Sequence, residues 1–530
     1  MDVNFLRITK KNAYICNLKC FSNSKTTINM KRFNLWMLVA ILSCGLLTIS
    51  CSENDNPVDP YSKNIDMFWD IPGNAGDPEV VAALKSIENV VDLKPFMNVK
   101  LGQCYYFNYN QLVDHNDPSK GTFKQQVVLS FVGKDAPTLL HTEGYNLTGI
   151  TKVYNNTNRL DSISAPYLLG ALSKDNGKKG FDLNCVQVEY RYHGFSLPEW
   201  DADSFQYLSA EQQSEDLHAI VTDLKEALIT GDGKWLSTGL SKNGVTSAQY
   251  AYFDEKYGWN DIDVYVPFVA PITTQVQDPR VGNYMITKSA KDALPLLEKV
   301  YKKLVNDPDV AQATIDAYAK KLKEQGAELH KDSAYLITID RTFSNLFSLM
   351  SYGDFDTWTK LIPLEDDKPE TYAKFFMLDA NSEAIYRKTA KARGPLRKRR
   401  DPFEMQIFID QGNRGFDYTW ILDGKLLSDS DKKFFKDEME KSIKSKTIDL
   451  QVKVLKNLET TKKKLIFVYG EDDPWTGAAI PDPTNPNVKK YVVPHGTHID
   501  NFTEYAWYDG GQEIVDKIMA DVKAILFGYN

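Results

Sequence analysis

The sequence predicts an α/β fold, a mostly parallel sheet covered on both faces by helices and interrupted late by a helical insertion. Three observations predict it. From about residue 138, short apolar runs of strand length alternate with stretches of helical period. The runs are continuously apolar rather than alternating, as strands buried on both faces require. Between about Ala290 and Thr460 that signal gives way to a charged, Lys-rich helical pattern, and it returns at Lys464. At 530 residues, 42% hydrophobic and 25% charged, the chain is ordinary globular material too long for one compact core.

The elements follow in order. Residues 1–29 precede Met30 and have the look of an over-extended start with no folding role. Lys31 and Arg32 then lead into the apolar run Phe33 to Ile49, which ends in Ser50-Cys51-Ser52. Charged segment, apolar segment and small residue form the order of an export signal. A Cys directly after the small residue resembles a bacterial lipobox, which makes Cys51 the expected lipid-bearing residue. Cys44 is the weaker alternative, because cutting there leaves apolar residues at the new N-terminus; a plain signal anchor is the other. Ser52 to Ser62, with Pro57 and Pro60, reads as a tether. Of the six Cys, only Cys104 and Cys185 follow this leader, enough for one disulfide or for two buried thiols.

Cys104 to Tyr109 and Phe123 to Phe131 read as a hairpin whose long turn holds Asp117-Pro118 and Gly121. Thr138 to His141 and Val186 to Tyr190 read as buried strands. Ser209 to Leu228 reads as a helix, with Ser209 as N-cap and Gln212 three residues on to complete a capping box. Trp235 to Thr238, Val245 to Lys256 and Ile262 to Ala270 continue as strand, helix and strand. Lys464 to Tyr469 and Tyr491 to Val493 restore the sheet, and Gln512 to Leu526 closes as an amphipathic helix. The expected organisation is thus an extended start (1–29), signal (30–50), tether (51–63), first sheet part (64–285), helical lid (286–460) and second sheet part (461–530).

The net charge of −8 is spread along the chain. Its one dense basic run, Arg393 to Arg400, reads as a solvated loop, so nucleic acid is not an expected partner.

Chemistry concentrates in three places. Trp235 to Gly244 carries a Gly-flanked Ser between a strand and a helix, the shape of a nucleophile elbow with Ser241 at its tip. Such an elbow needs small residues two before and two after the Ser. Gly239 meets the first need, whereas Asn243 occupies the second position and the next glycine comes one residue late, at Gly244. A Ser hydroxyl needs a base held by an acid, and on this fold the chain order is Ser, acid, His. The strand ending at Tyr469 delivers Gly470-Glu471-Asp472-Asp473-Pro474-Trp475. Asp473, deepest in that loop and stiffened by Pro474, is preferred over Asp472 and Glu471. The strand ending at Val493 delivers Pro494-His495-Gly496-Thr497-His498, in which His498 is preferred to His495 because it has the loop length to reach Ser241. A metal site on His495, His498 and Asp500 is the minor alternative; no third ligand cluster supports it, and neither metal nor cofactor is expected. An oxyanion hole would take the N–H of Lys242 and a second N–H from the loop at Gly144 or Tyr145.

These motifs resemble the secreted bacterial serine tripeptidyl aminopeptidases, with a more distant likeness to lysosomal Pro-X carboxypeptidase and dipeptidyl peptidase II. The resemblance rests on Tyr109 to Gln125, on Thr142-Glu143-Gly144-Tyr145, on Val188 to Gly194 with Ser196 and Pro198, and on Gly239-Leu240-Ser241-Lys242-Asn243-Gly244. It implies an α/β-hydrolase fold with a helical lid, with Ser241, Asp473 and His498 as nucleophile, acid and base. The implied activity is release of short peptides from free N-termini. A site that counts from a free amino group needs a carboxylate to meet that cation. Gln406 to Gly412 resembles the family's Gln-x-x-x-Glu-Leu-Gly segment, which nominates Asp410; Glu143 is the competitor. The expectation is therefore an envelope exopeptidase, lipid-anchored at the outer membrane or cell surface. An esterase on the same fold, or an inactive peptide- or glycan-binding lipoprotein, is the rival reading.

Overall fold

A computed structural model describes residues 74–98, 101–143, 168, 170–173, 181–193, 196–198, 205–274, 278–289, 294–324, 362–364, 366–376, 448–498, 500 and 502–528. The chain divides into two units, Met1–Asp55 and Asn56–Asn530. The first unit lies wholly outside the described residues, and with it Cys51 and Cys44. Among the described residues, no helix is long and apolar enough to cross a membrane.

Among the described residues, nine strands form one sheet in the order β1-β2-β3-β5-β4-β6-β7-β8-β9. In chain order these are β1 (Val90–Asn98), β2 (Gly102–Leu112), β3 (Thr122–Ser130), β4 (Thr138–Glu143), β5 (Asn184–Glu189), β6 (Trp235–Leu240), β7 (Val264–Phe268), β8 (Lys464–Gly470) and β9 (Val488–Val493). The first three strands and β5 pair antiparallel, and every pairing from β5 through β4 to β9 is parallel. After β4 the chain steps outward to β5 and then returns past β4 to β6. The strands that follow β4 and β6 in sequence thus lie on opposite sides of that pair, the reversal of strand order at which α/β proteins place their sites. Antiparallel entry strands, this reversal and a Ser-bearing turn after β6 make the architecture an α/β-hydrolase fold, as the sequence predicts.

The strands sort their side chains by parity into two cores. Leu140, Val186 and Val188 join Leu217, Ile220 and Leu224 of helix α2 (Ala210–Ala227) and Val245 and Ala248 of helix α3 (Lys242–Tyr257). Helix α1 (Pro78–Ser86) adds Val80 and Leu84 to that face. Leu139, Cys185, Leu236 and Ile466 face the other way, against Val515, Ile518 and Val522 of the C-terminal helix Gly511–Phe527. Burying an aliphatic side chain of this kind contributes about 1.5–3 kcal/mol, so both faces are needed to hold the strands flat enough for their ends to align.

β7 and β8 are sheet neighbours although about 200 residues separate them. The regular elements described in that interval are all helical: Pro279–Tyr284, the π-turn Met285–Ser289, Leu294–Asn306, Pro308–Glu324, Pro369–Phe376 and Ile448–Leu458. Among the described residues it adds no strand to the sheet.

Several elements differ in detail from expectation. The N-terminal α1 and β1 carry no strong period in the sequence. β1 is an edge strand, where Pro95 removes no needed donor, and its register shifts between Val91 and Lys94. The turn between β2 and β3 contains a short 3₁₀ helix, Pro118–Lys120, capped by Asp117. Ser209 does cap α2 by accepting from Gln212 N–H. The Gln212 side chain does not close the box, because it is spent on His115 N–H and Asp114. Cys104 and Cys185 are free and buried on β2 and β5, on either side of Ser130 in the register. Burial pushes the Cys104 thiol up to about 12, so it stays protonated and unreactive at neutral pH.

Candidate active site

Strand β6 runs directly into α3 through Ser241, whose φ of 58° and ψ of −121° lie in a region that non-glycine residues rarely adopt. Strain of this kind persists only where surroundings impose it. Here Ser241 N–H is tied to Phe268 O of β7 at 2.9 Å, and Val245 N–H to Ser241 O at 3.0 Å. The elbow also depends on two bare backbones. A Cβ on Gly239 would lie 2.4 Å from Asn243 O, and one on Gly244 would lie 2.6 Å from Phe268 O. The late glycine of the sequence pattern thus serves a separate contact, between α3 and β7. Asn243 fits at its own position with its side chain buried, and its carbonyl accepts from Thr142 Oγ1 at 2.9 Å.

The loops after β8 and β9 converge on this serine. His498 Nε2 is 2.9 Å from Ser241 Oγ, and His498 Nδ1 is 2.8 Å from Asp473 Oδ2. The carboxylate fixes the tautomer: Nδ1 carries the proton and donates to Asp473, leaving Nε2 to accept from the serine hydroxyl. Asp473 is fully buried, and its other oxygen accepts from Trp475 N–H at 2.9 Å as N-cap of the 3₁₀ helix Pro474–Ala478. That second bond prevents the carboxylate from rotating away. Gly470, at the end of β8, lies so close to the His-bearing loop that a Cβ there would approach Gly496 O to 2.3 Å. The Trp475 ring stands 6.3 Å from the imidazole, centroid to centroid.

His495 does not join this chain. Its side chain is 63% exposed and lies 3.4 Å from Asp472. Asp500 accepts from Thr497 N–H at 2.7 Å and Tyr508 OH at 2.8 Å, whereas the ring nitrogens of His498 are engaged by Asp473 and Ser241. Asp500 therefore shapes the loop that carries His498, a role its sequence position beside a His-x-x-His pattern hides. Glu471, Asp472 and His495 are close enough together to hold an ion, but all three are at least half-exposed or paired at the surface.

Lys242 opens α3 immediately after the serine, and its side chain is buried. Its ammonium lies 3.2 Å from His193 Nε2 and 5.3 Å from the centre of the Tyr190 ring. Glu143 ends β4 in register with Glu189 of β5. Gly144, Tyr145 and Asp410 lie outside the described residues.

Glu189, Arg191 and Ser196 are internal scaffolding. Arg191 is completely buried, holding Asp216 through Nε at 2.8 Å and Nη2 at 2.6 Å. It also donates to the carbonyls of Leu112, Val113 and Tyr207. Glu189 accepts from Ser196 N–H and Oγ. A sequence can flag such an Arg, but its partner Asp216 lies inside α2 with nothing to mark it.

Comparison with known proteins agrees with this geometry. Residues 80–294, which include Ser241, match the PS-10 peptidase S37 family. A prolyl tri/tetrapeptidyl aminopeptidase from Streptomyces mobaraensis is 33% identical over 236 residues, 44% of this chain and 39% of that protein. The chain thus spans well under half the length of this relative. The resemblance to the tripeptidyl aminopeptidases is borne out over that stretch. Among solved structures, an α/β-hydrolase from Penicillium covers 80% of this chain and 99% of its own, with TM-score 0.32 and 12% identity. The peroxisomal α/β-hydrolase of Saccharomyces cerevisiae covers 83% and 90%, with TM-score 0.34 and 11% identity. At that distance neither informs the chemistry; the fold assignment stands on strand order and the elbow.

Proposed function

We propose that the chain is a serine exopeptidase that releases short peptides from free N-termini through an acyl-enzyme. The observation that carries this reading is the unbroken chain from Ser241 Oγ to His498 to buried Asp473, within 2.9 Å at each step, in a chain whose residues 80–294 match a peptidase family. In this reading His498 Nε2 takes the Ser241 proton as Oγ bonds to the scissile carbonyl carbon. The same proton then goes to the leaving amine as the C–N bond breaks. Water, deprotonated by His498, hydrolyses the ester and returns the serine. Asp473 keeps the tautomer and stabilises the transient imidazolium. Lys242 N–H, at the first turn of α3, would stabilise the oxyanion together with Gly144 or Tyr145 N–H.

The insertion between β7 and β8 would act as the lid, and Asp410 or Glu143 would meet the substrate's amino group. The leader would place the enzyme in the cell envelope, held by lipid on Cys51. Labelling with a fluorophosphonate, followed by a panel of aminoacyl, dipeptidyl and tripeptidyl reporter amides and simple esters, tests the reading. Labelling at Ser241 with cleavage of tripeptidyl or dipeptidyl amides is the expected result. Cleavage of esters alone makes the chain an esterase, and no labelling makes it a binding protein.

A further inference from the structure

His193 is separated from Ser241 by two elements of sequence, yet its ring touches the residue that follows the nucleophile. Its Nδ1 is 3.2 Å from Arg191 O, a carbonyl that can only accept, so Nδ1 carries the proton and Nε2 is left with a lone pair. Lys242 Nζ lies 3.2 Å from that Nε2 and donates to it, with the Tyr190 ring 5.3 Å away supplying an aromatic face to the cation. Both side chains are about 98% buried. Burial, and after it the Lys242 charge, push the His193 pKa well below the ordinary imidazole value, in keeping with a neutral acceptor.

The ring is itself rigidly placed. His193 N–H bonds Tyr190 O at 3.0 Å and Ser196 N–H bonds His193 O at 2.8 Å. Arg191, whose carbonyl orients the ring, is clamped by Asp216. A continuous path of fixed groups therefore runs from the sheet's buried ion pair to the first residue of α3.

We infer that His193 is a positioning residue for the proposed oxyanion donor: by accepting from the Lys242 ammonium it fixes the Lys242 backbone N–H beside Ser241. This inference rests on the serine-hydrolase reading above. Removing the acceptor leaves a buried ammonium without one of its partners, and the first turn of α3 must shift to rehydrate it. The consequence falls on transition-state stabilisation rather than on substrate binding, because an oxyanion donor engages the tetrahedral species most strongly.

The test uses the full chain as wild type and as His193→Phe, His193→Gln, Lys242→Met and the His193→Phe/Lys242→Met double variant. Readouts are the fluorophosphonate labelling rate, kcat and KM on the best reporter substrate, and thermal midpoint. His193→Phe should lower kcat and labelling about 10- to 100-fold, with KM changed less than about threefold. His193→Gln, which keeps an acceptor, should recover most of that loss. Lys242→Met should lose about as much as His193→Phe, and the double variant little more, since both break one interaction. A His193→Phe variant labelled at the wild-type rate, or one whose loss Gln fails to recover while the midpoint falls equally in both, overturns the inference and leaves His193 a packing residue. Wild type that does not label at Ser241 sinks the serine-hydrolase reading itself, and this inference with it.

Discussion

The three side chains that meet at Ser241 assign separable roles. Ser241→Ala and His498→Ala should each abolish fluorophosphonate labelling, with losses of about 10⁴- to 10⁶-fold in kcat where a substrate is known. Asp473→Ala should retain more activity, since it removes only the group that holds the imidazole. His495→Ala should be nearly neutral, its ring being exposed and 3.4 Å from Asp472; a dead His495→Ala beside an active His498→Ala would reverse the assignment. Recognition of the substrate's amino group is a second question at this scale. On the proposed reading, replacing the acid that would meet that cation should cost about 1.5–3 kcal/mol of transition-state binding. Asp410→Asn should therefore weaken cleavage of free-amino peptides by that amount and leave N-acetylated peptides and esters unchanged. Equal losses on both kinds of substrate would move the role to Glu143. Ser241, Asp473 and His498 were legible because each follows a strong apolar strand in a fixed chain order. The places of His193 and Asp500 were not, since their contacts with Lys242, Thr497 and Tyr508 are encoded by no spacing.

At the scale of elements, the site is a matter of how closely β6, β7 and α3 approach. Gly239→Ala puts a methyl 2.4 Å from the Asn243 carbonyl oxygen, and neither backbone can yield without separating strand from helix. Overpacking of this sort costs about 1–3 kcal/mol, but the labelling rate should fall further than stability does, because Ser241 sits at the hinge of the strained turn. Urea midpoint and labelling rate measured together check this; a Gly239→Ala variant labelled at the wild-type rate would mean the elbow is not under the constraint described. The same closeness explains what the sequence pattern obscured at Asn243. The elbow's second bare backbone is required where α3 crosses β7, and Gly244 supplies it one residue later. Strands were legible from apolar runs, whereas α1 and β1 were not, because an edge strand with a bulge and a proline carries little period. The lipid anchor proposed at Cys51 is tested at this scale too. If that proposal holds, Cys51→Ser should release the protein from membranes, since the substitution removes the thiol that would carry the lipid. Palmitate incorporation that survives the substitution would point to Cys44.

At the scale of the molecule, the antiparallel entry strands, the parallel core and α2 are tied by one buried ion pair. Arg191 and Asp216 are both fully buried. Asp216 also accepts from His115 at 2.8 Å and from Gln125 at 3.2 Å, while Arg191 holds the carbonyls at the end of β2. Burial alone would raise the Asp216 pKa, but the Arg191 charge and its hydrogen bonds, with those of His115, outweigh burial and hold it below the usual carboxylate range. A carboxyl whose folded pKa is depressed adds stability above its unfolded pKa of about 4, and that stability is lost as pH falls through the folded value. Resistance to denaturant should therefore fall steeply below about pH 4. Asp216→Asn should cost about 3–5 kcal/mol at pH 7, because it strands a buried guanidinium. The gap between wild type and variant should then narrow as the pH is lowered, since acid neutralises in the wild type the charge that the variant already lacks. Replacing both partners, Arg191→Met with Asp216→Leu, should cost less than Asp216→Asn alone, as no charge is left unpaired. A gap that stays constant from pH 7 to pH 3 would mean that the carboxylate's charge does not hold these elements together, and that Asp216 acts through shape and hydrogen bonding alone.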